Sequence, residues 1–486
     1  MTHSTHPTTE ELQVKKGQHL ELTIDSLAYG GKGVARKDDF VIFVTGGLPG
    51  QQVHCIIARK KRNHAEARIV EIIKESPYYV EPKCRHFGQC GGCLHQHLEY
   101  SEQLKQKAGQ VKESLNRIGG LNGFKMFPTV PSPDIYYYRN KMEFSFSRQR
   151  WLTAQEIATQ EPIANRSHYL GFHARGFYEK VIDLKECHLV QPVAVQILEA
   201  VRKTAKDSKL PVYSTRDHQG FWRFLVIRPS VKTSDLMVNV ITYDFQPRIA
   251  DVLKANLKTK FPRITSLING TTQSKASVAF CEEEHLLHGK PSITEQLGPY
   301  SFMISSNSFF QTNTKQAERL YDIAVDFAEF SGEETVYDLY CGAGTISIYI
   351  SSFVNTVIGF ESVASAVQNA RDNAALNDIT NCEFVLGDLK TLLRDTNRIK
   401  QTFGQPDIVV LDPPRGGMHP DTVEHVLALR PEKIVHVACN PTTLARELAV
   451  LCKTEYVLTK VQPVDMFPHT PHIEVVAQLK RRDLPR

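Results

Sequence analysis

No stretch of the chain stays apolar and uncharged for the roughly 18 residues that a bilayer span requires, so nothing in the sequence reads as a transmembrane helix. The opening residues Met1 to Glu10 are polar and lack the apolar middle of a secretory leader. A cytoplasmic location with no membrane partner is the expectation. Cysteine is scarce as well. Ten in 486 residues cannot staple so long a chain, which excludes a disulfide scaffold and leaves any cluster of them to metal binding or catalysis. Charge of one sign is weak, at a formal +5, a mild excess that fits an RNA partner without demanding one. Repeats with a period of about 20–50 residues are missing, which removes solenoids and propellers. What remains, 41% apolar and 23% charged, is ordinary globular composition, and the length calls for several cores rather than one.

Three textures follow one another. Residues 13–74 carry short alternating runs at 20–24, 40–44 and 53–58, separated by Ala28-Tyr29-Gly30-Gly31-Lys32-Gly33 and Gly46-Gly47-Leu48-Pro49-Gly50. These turn signals predict a small OB-like β-barrel. Arg59-Lys60-Lys61-Arg62 beside the third run is either a face for single-stranded nucleic acid or a solvated charge run. Residues 75–300 hold the cysteine cluster, a charged amphipathic helix over about 99–118 that closes on Gly119-Gly120 and is able to pack on the C-terminal unit, and strand-like runs at 142–147, 223–228 and 236–242. They predict an α+β domain of unassigned strand order. From 301 to 486, apolar runs at 335–339, 356–360, 383–386, 407–411 and 433–438 alternate with helical stretches, and 456–458 and 473–479 add late strands. That alternation predicts an α/β Rossmann-like domain with a mostly parallel sheet.

In the third region, Val336-Tyr337-Asp338-Leu339-Tyr340-Cys341-Gly342-Ala343-Gly344-Thr345 runs a strand into a glycine turn and then a helix. Ligands of open α/β sheets sit at such strand ends, where small residues admit them to the backbone. The next strand ends at Glu361, whose two oxygens can accept both ribose hydroxyl protons. A third ends at Gly387-Asp388, suited to the adenine side, and a fourth in Asp412-Pro413-Pro414-Arg415, where two prolines force an extended loop. Successive ends on one crevice favour an adenosine-type cofactor. The turn lacks the third glycine of the dinucleotide fingerprint, which favours S-adenosylmethionine, with no phosphate to cradle, over NAD. Asp338 reads equally well as a buried, turn-stabilising carboxylate.

The run 433–438 delivers Cys439 into Asn440-Pro441-Thr442-Thr443, at the same end of the sheet. Most cysteines in sheets are small buried hydrophobes, so position is what singles this one out. A thiol is wanted where carbon 5 of uracil must attack a methyl sulfonium. Addition of a thiolate to carbon 6 turns carbon 5 into an enolate carbon, and after methylation a base removes the remaining proton so that the thiolate leaves. Glu474, a carboxylate inside the apolar stretch Ile473-Glu474-Val475-Val476, is the candidate base. His469 and His472 are alternative bases or base-stacking groups, and Asp412 can hydrogen-bond the uracil edge or the cofactor. Upstream, Cys84-x5-Cys90-x2-Cys93 puts three thiols on one glycine-containing loop and points to a metal. Zinc would be completed by a second CxxC or by histidines such as His86 or His95, an iron-sulfur cluster by a distant cysteine, the nearest being Cys187. Cys55, Cys281, Cys341, Cys382 and Cys452 read as structural.

The cysteine loop, Tyr138-Arg139-Asn140-Lys141, Ser308-Phe309-Phe310-Gln311, Asp338-Leu339-Tyr340-Cys341-Gly342, Asp412-Pro413-Pro414-Arg415, Cys439-Asn440-Pro441 and Asp465-Met466-Phe467-Pro468-His469-Thr470 together resemble the uracil-5 RNA methyltransferase family. The resemblance runs from about residue 14 to the C-terminus and is to the type that carries an N-terminal TRAM domain and methylates 23S ribosomal RNA. It implies a [4Fe-4S] cluster on Cys84, Cys90, Cys93 and Cys187, Cys439 as nucleophile and Glu474 as proton acceptor. It also implies cofactor contacts from Gln311, Tyr340, Glu361 and Asp412, with Asp388 and Thr345 beside them; Thr345 stands where some relatives have Asn. The expected partner of a monomeric enzyme is a flipped uridine in 23S ribosomal RNA, with the T-loop of transfer RNA as the alternative. A small-molecule or protein methyltransferase, and a non-catalytic iron-sulfur RNA-binding protein, are the rivals; neither needs Cys439 and Glu474 together.

Overall fold

The computed structural model describes residues 14–159, 167–177 and 179–482; the polar opening stretch, residue 13 of the expected barrel and the last four residues of the expected C-terminal unit lie outside them. The first sheet has six strands in the spatial order His19–Thr23, Gln52–Lys60, His64–Lys74, Phe40–Thr45, Gly33–Lys37, Ser26–Leu27. Successive strand residues face opposite sides, so Val53, Cys55 and Ile57 are buried while their neighbours are not. Register shifts between Gln52–Lys60 and His64–Lys74 add twist to the pair, and His19–Thr23 comes to lie against Gly33–Lys37. The sheet curls around Leu22, Ile24, Ala35, Ile42, Val44, Ala65 and Ala67. Gly33–Lys37 and His64–Lys74 escape the sequence reading because their inward residues include alanines, too small to mark an apolar alternation.

The expected helix is present as Tyr100–Arg117, but its buried face is mostly polar: Glu102, Gln103, Lys107, Gln110 and Ser114 join Val111 and Leu115. Most of these polar groups are matched, although Gln110 Oε1 has no hydrogen-bond partner. Leu27 of the first sheet donates its N–H to Gln106 Oε1 at 2.8 Å and accepts from Gln110 Nε2 at 3.0 Å. Lys107 Nζ lies 2.6 Å from Asp465 Oδ1, and the Tyr100 hydroxyl donates to Asp465 Oδ2 at 2.9 Å. The helix packs on Pro441–Leu451, so it joins the first sheet to the last.

Eight strands form the central sheet, in the order Glu283–Gly289, Ser266–Thr271, Leu236–Thr242, Trp222–Pro229, Met142–Ser147, Tyr169–His173, Lys180–Asp183, Gln149–Arg150. Helices Pro192–Ser208 and Pro247–Lys260 cover its core through Ile197, Leu198, Val201, Leu253 and Leu257. The C-terminal sheet runs Cys382–Leu386, Thr356–Glu361, Thr335–Leu339, Ile408–Leu411, Lys433–Ala438, Glu474–Arg481, Tyr456–Val464. The first five are parallel and Glu474–Arg481 is antiparallel to both its neighbours. A short strand from far upstream, Lys125–Met126, pairs in parallel with Lys460 and Val461 and completes the edge. No helix among the described residues is long and apolar enough to cross a membrane.

Candidate active site

Strand order reverses between Thr335–Leu339 and Ile408–Leu411, the point at which an open α/β sheet forms a crevice at its carboxyl ends. The turn after Thr335–Leu339 is held by Tyr340 and Cys341 N–H groups that both donate to Phe360 O at 3.1 Å. Tyr340 sits at φ 68°, a left-handed conformation that a bulky residue adopts only when its surroundings fix it. Gly342 and Gly344 follow with φ 56° and 77°. Open space fronts Gly342, whereas a Cβ on Gly344 would stand 3.0 Å from Ala370 and Phe384, so the first glycine leaves room for a ligand and the second lets helix Thr345–Ile350 pack closely. Glu361 closes the turn by accepting from Gly342 N at 3.1 Å, and from Ser362 N and Val363 N at 2.7 and 2.9 Å.

The other residues expected to contact the cofactor each have their own anchor. Gln311 is nearly buried; Asn140 Nδ2 donates to its carbonyl at 2.9 Å and to Thr314 Oγ1 at 2.8 Å, which explains the Tyr138-Arg139-Asn140-Lys141 segment as a brace. Thr345 Oγ1 lies 3.1 Å from the buried Tyr321 hydroxyl. Asp388 is exposed and caps the short helix Leu389–Leu392, accepting from Thr391 N at 3.2 Å. Asp338 is fully buried, with Ser347 Oγ donating to it at 2.5 Å. Burial pushes its carboxyl up to about 7, further raised by Asp412 and Glu361 and opposed by Ser347.

The antiparallel register between Lys433–Ala438 and Glu474–Arg481 ends with Ala438 paired to Val475, so Cys439 follows the one strand and Glu474 begins the other at the same end of the sheet. The two are near enough for the charge of Glu474 to raise the Cys439 thiol. The thiol's segment is anchored where Asn440 caps helix Pro441–Leu451 by accepting from Thr442 N at 3.0 Å, while its Nδ2 donates to Arg415 O at 3.2 Å. Below it, His436 and Glu447 share a buried 2.7 Å contact, and Glu447 accepts from Met418 N at 2.7 Å. Burial raises the Cys439 thiol to about 12, with Glu474 and Asp412 adding to the rise and Arg415 opposing it. Glu474 is almost fully buried, and burial followed by the charge of Asp412 lifts its carboxyl well above the usual range, with Arg415 again opposing. Asp412 itself is raised to about 7 by burial, offset by His436.

His469 is engaged on the side of the cysteine loop, whereas the His472 ring packs edge-on against Phe467. His469 adopts φ 66°, accepts Leu94 N and His95 N on its carbonyl at 2.9 and 3.0 Å, pairs its Nδ1 with Gln103 Nε2 at 3.2 Å and stacks on Tyr136. Burial holds both imidazoles down to about 4. The residues to which sequence reasoning gave no role of their own are Asn140, His436, Glu447 and Tyr29, whose hydroxyl reaches the Cys439 carbonyl from the first sheet. The partners of Asn140 and Tyr29 lie too far along the chain for spacing to reveal, and the His436–Glu447 contact joins a strand to the next helix at a separation that no local pattern marks.

The three loop cysteines and Cys187 lie near enough for their charges to act on one another. Arg85 N donates to Glu186 Oε1 at 2.7 Å, and Lys185 N donates to His86 Nε2 at 3.1 Å, which occupies that ring nitrogen. Gln96 accepts from Cys84 N at 3.2 Å and directs its amide at Cys93 Sγ, also at 3.2 Å. Burial raises Cys90 and Cys187 to about 11 and Cys93 to about 12, and the thiols raise one another. Among the described residues no three His, Cys, Asp or Glu side chains converge as a single bound ion needs.

The family profile "tRNA (Uracil-5-)-methyltransferase" matches residues 296–482, and a TRAM-domain profile matches residues 13–70. An uncharacterized RNA methyltransferase of Chlorobaculum tepidum is 40% identical over 477 residues, covering 98% of this chain and 99% of that protein. One from Clostridium tetani is 38% identical, covering 97% and 100%. Among solved structures, the tRNA (uracil-54, C5)-methyltransferase of Pyrococcus abyssi in complex with S-adenosyl-L-homocysteine is similar at a TM-score of 0.71 and 28% identity, covering 94% of this chain and 99% of that one. The chain is an RNA methyltransferase with a TRAM domain, and it belongs to the RNA uracil-5-methyltransferase family.

Proposed function

We propose that the protein methylates carbon 5 of a uridine in RNA, with Cys439 as nucleophile and Glu474 as the base. The observation that supports this reading is that the register ends with Ala438 paired to Val475, which leaves Cys439 and Glu474 at the same end of two adjacent strands, within reach of each other's charge. S-adenosylmethionine, when bound, supplies the electrophilic methyl group. Open space at Gly342 and the carboxylate of Glu361 suit its adenosine, with Gln311, Tyr340, Thr345, Asp388 and Asp412 around it. Cys439 gives up its proton to solvent, and the thiolate bonds carbon 6 of the base, opening the carbon 5–carbon 6 double bond into an enolate whose carbon 5 is nucleophilic. After carbon 5 gains the methyl group, Glu474 takes the remaining carbon-5 proton, the carbon 5–carbon 6 double bond reforms and the thiolate leaves. Burial raises the proton affinity of Glu474, which suits this abstraction, and Arg415 moderates it.

Cys84, Cys90, Cys93 and Cys187 are proposed to hold a [4Fe-4S] cluster. Four thiols on two tethered loops match its donor set, and a cluster of several atoms spans a wider gap than one ion. We read the chain as an OB-like barrel over 13–74, a central α+β unit over 75–300 and the methyltransferase unit over 301–486, acting as a cytoplasmic monomer. Helix Tyr100–Arg117 and strand Lys125–Met126 pack with the last of these. The barrel and cysteine loop together favour 23S ribosomal RNA as substrate. Likeness to the Pyrococcus abyssi enzyme favours a transfer RNA uridine as the second reading.

RNA carrying 5-fluorouridine tests the chemistry, because fluorine cannot leave as a proton does and the thiol stays bound. A protein–RNA adduct is expected with the wild type and none with Cys439→Ala. Glu474→Gln is expected to accumulate the adduct even on ordinary uridine, since the bond forms but its release stalls. Absence of any adduct with both ribosomal and transfer RNA refutes the covalent reading. Mapping 5-methyluridine in both RNAs after incubation decides between the substrates.

A further inference from the structure

The first sheet reaches the site through a single turn. Leu27 is clamped on both of its backbone polar groups by Gln106 and Gln110 of helix Tyr100–Arg117. The chain then reverses at Ala28, where Ala28 N donates to Lys32 O at 2.8 Å and Gly31 N to Ala28 O at 2.9 Å. Gly30 and Gly31 adopt φ 93° and 86°, conformations closed to most side chains. Gly31 seats so closely on the loop after Cys93 that a Cβ there would stand 3.1 Å from His95 Nε2 and Leu94 Cδ1. A turn anchored on both sides presents its remaining large residue, Tyr29, at a fixed place.

That place is the catalytic segment. The half-buried Tyr29 ring packs against the core that contains Ala438, Met418, Leu444 and Ile473, and its hydroxyl donates to Cys439 O at 3.4 Å, across 410 residues of sequence. Burial and the nearby Cys439 and Glu474 raise its phenol, opposed by Arg415, so it stays a donor at neutral pH.

We propose that Tyr29 is a positioning residue of the methyl-transfer site, its phenol fixing the Cys439 segment for attack on a pyrimidine base, so that the barrel is part of the active site. The proposal rests on the reading of Cys439 as nucleophile. A barrel that only captured RNA would act on affinity, whereas a positioning residue acts on the rate once RNA is bound.

Full-length wild type, Tyr29→Phe, Tyr29→Leu, Cys439→Ala and the doubly substituted Arg59→Ala/Lys60→Ala are compared on 5-fluorouridine RNA with S-adenosylmethionine. RNA affinity and the rate of adduct formation at saturating RNA are measured separately. Tyr29→Phe is expected to slow the adduct by about 3- to 10-fold, the loss of one neutral hydrogen bond. Tyr29→Leu is expected to slow it by about 10- to 100-fold through misplacement of the thiol. Both should bind RNA within about twofold of wild type, whereas the Arg59/Lys60 variant should bind it more weakly. Wild-type adduct rates in Tyr29→Phe and Tyr29→Leu, or a change confined to affinity, overturn the proposal while leaving the nucleophile intact. If Tyr29→Leu does not fold, Tyr29→Phe decides alone. A wild-type protein that forms no adduct overturns the reading of Cys439 itself, and the proposal with it.

Discussion

Three carboxyl groups beneath one crevice cannot all carry charge cheaply, and Asp338, Asp412 and Glu474 divide that burden by burial and mutual repulsion. Asp338 has the clearest thermodynamic consequence. Its carboxyl rises from an ordinary 3.8 to about 7 in the folded protein, so folding tightens its hold on a proton. The associated stability is full below the unfolded value and is lost as pH climbs through the folded one. Asp338→Asn still accepts from Ser347 but cannot ionise. It should therefore gain stability relative to wild type between pH 5 and pH 9, by about 2–4 kcal/mol, read from urea midpoints at the two pH values. A difference that does not change with pH would show that Asp338 titrates normally. At this scale the sequence marks Cys439 and Glu474 separately, by strand end and by an odd charge in an apolar run. Their nearness follows from the pairing of the two strands, which ends with Ala438 against Val475 and is not legible in either stretch alone.

Among the elements, helix Tyr100–Arg117 departs furthest from what its pattern suggests. Glutamines, a lysine and a glutamate on one face look like a surface to water, yet here they face the first sheet and the C-terminal sheet. The Lys107–Asp465 pair is the most exacting contact, with the two side chains 2% and 0% exposed. Breaking one side leaves a buried charge, so Lys107→Met should cost about 3–5 kcal/mol, and Lys107→Met/Asp465→Asn should recover part of it in the same denaturation assay. Equal losses in the single and double variants would refute the pairing. The same feature explains what the sequence conceals. The strands Thr335–Leu339, Thr356–Glu361 and Lys433–Ala438 are legible because burial on both faces makes them continuously apolar. Lys125–Met126 is two residues long and pairs across the chain, so no local pattern announces it. In the central sheet Met142–Ser147 and Leu236–Thr242 stand out. Glu283–Gly289 does not, because it lies at the sheet edge with charged and partly exposed residues.

Across the whole molecule, RNA affinity and chemistry are expected to separate by location. Arg59, Lys60, Lys61 and Arg62 are exposed on the first sheet. Replacing all four with Ala should reduce the slope of log affinity against log salt by about 2–3, at roughly 0.7 for each phosphate that is no longer neutralised. Filter binding over a salt series measures the slope, and an unchanged slope would mean that RNA does not use this cluster. The buried ion pair also constrains how the protein is made. Asp465 lies 358 residues after Lys107, and at about 5–20 residues per second the ribosome needs roughly 20–70 s to deliver it. Until then the nascent helix must keep its ammonium in water and cannot dock. Glu474 emerges later still, so the catalytic pair assembles near the end of synthesis, after the barrel has had ample time to fold.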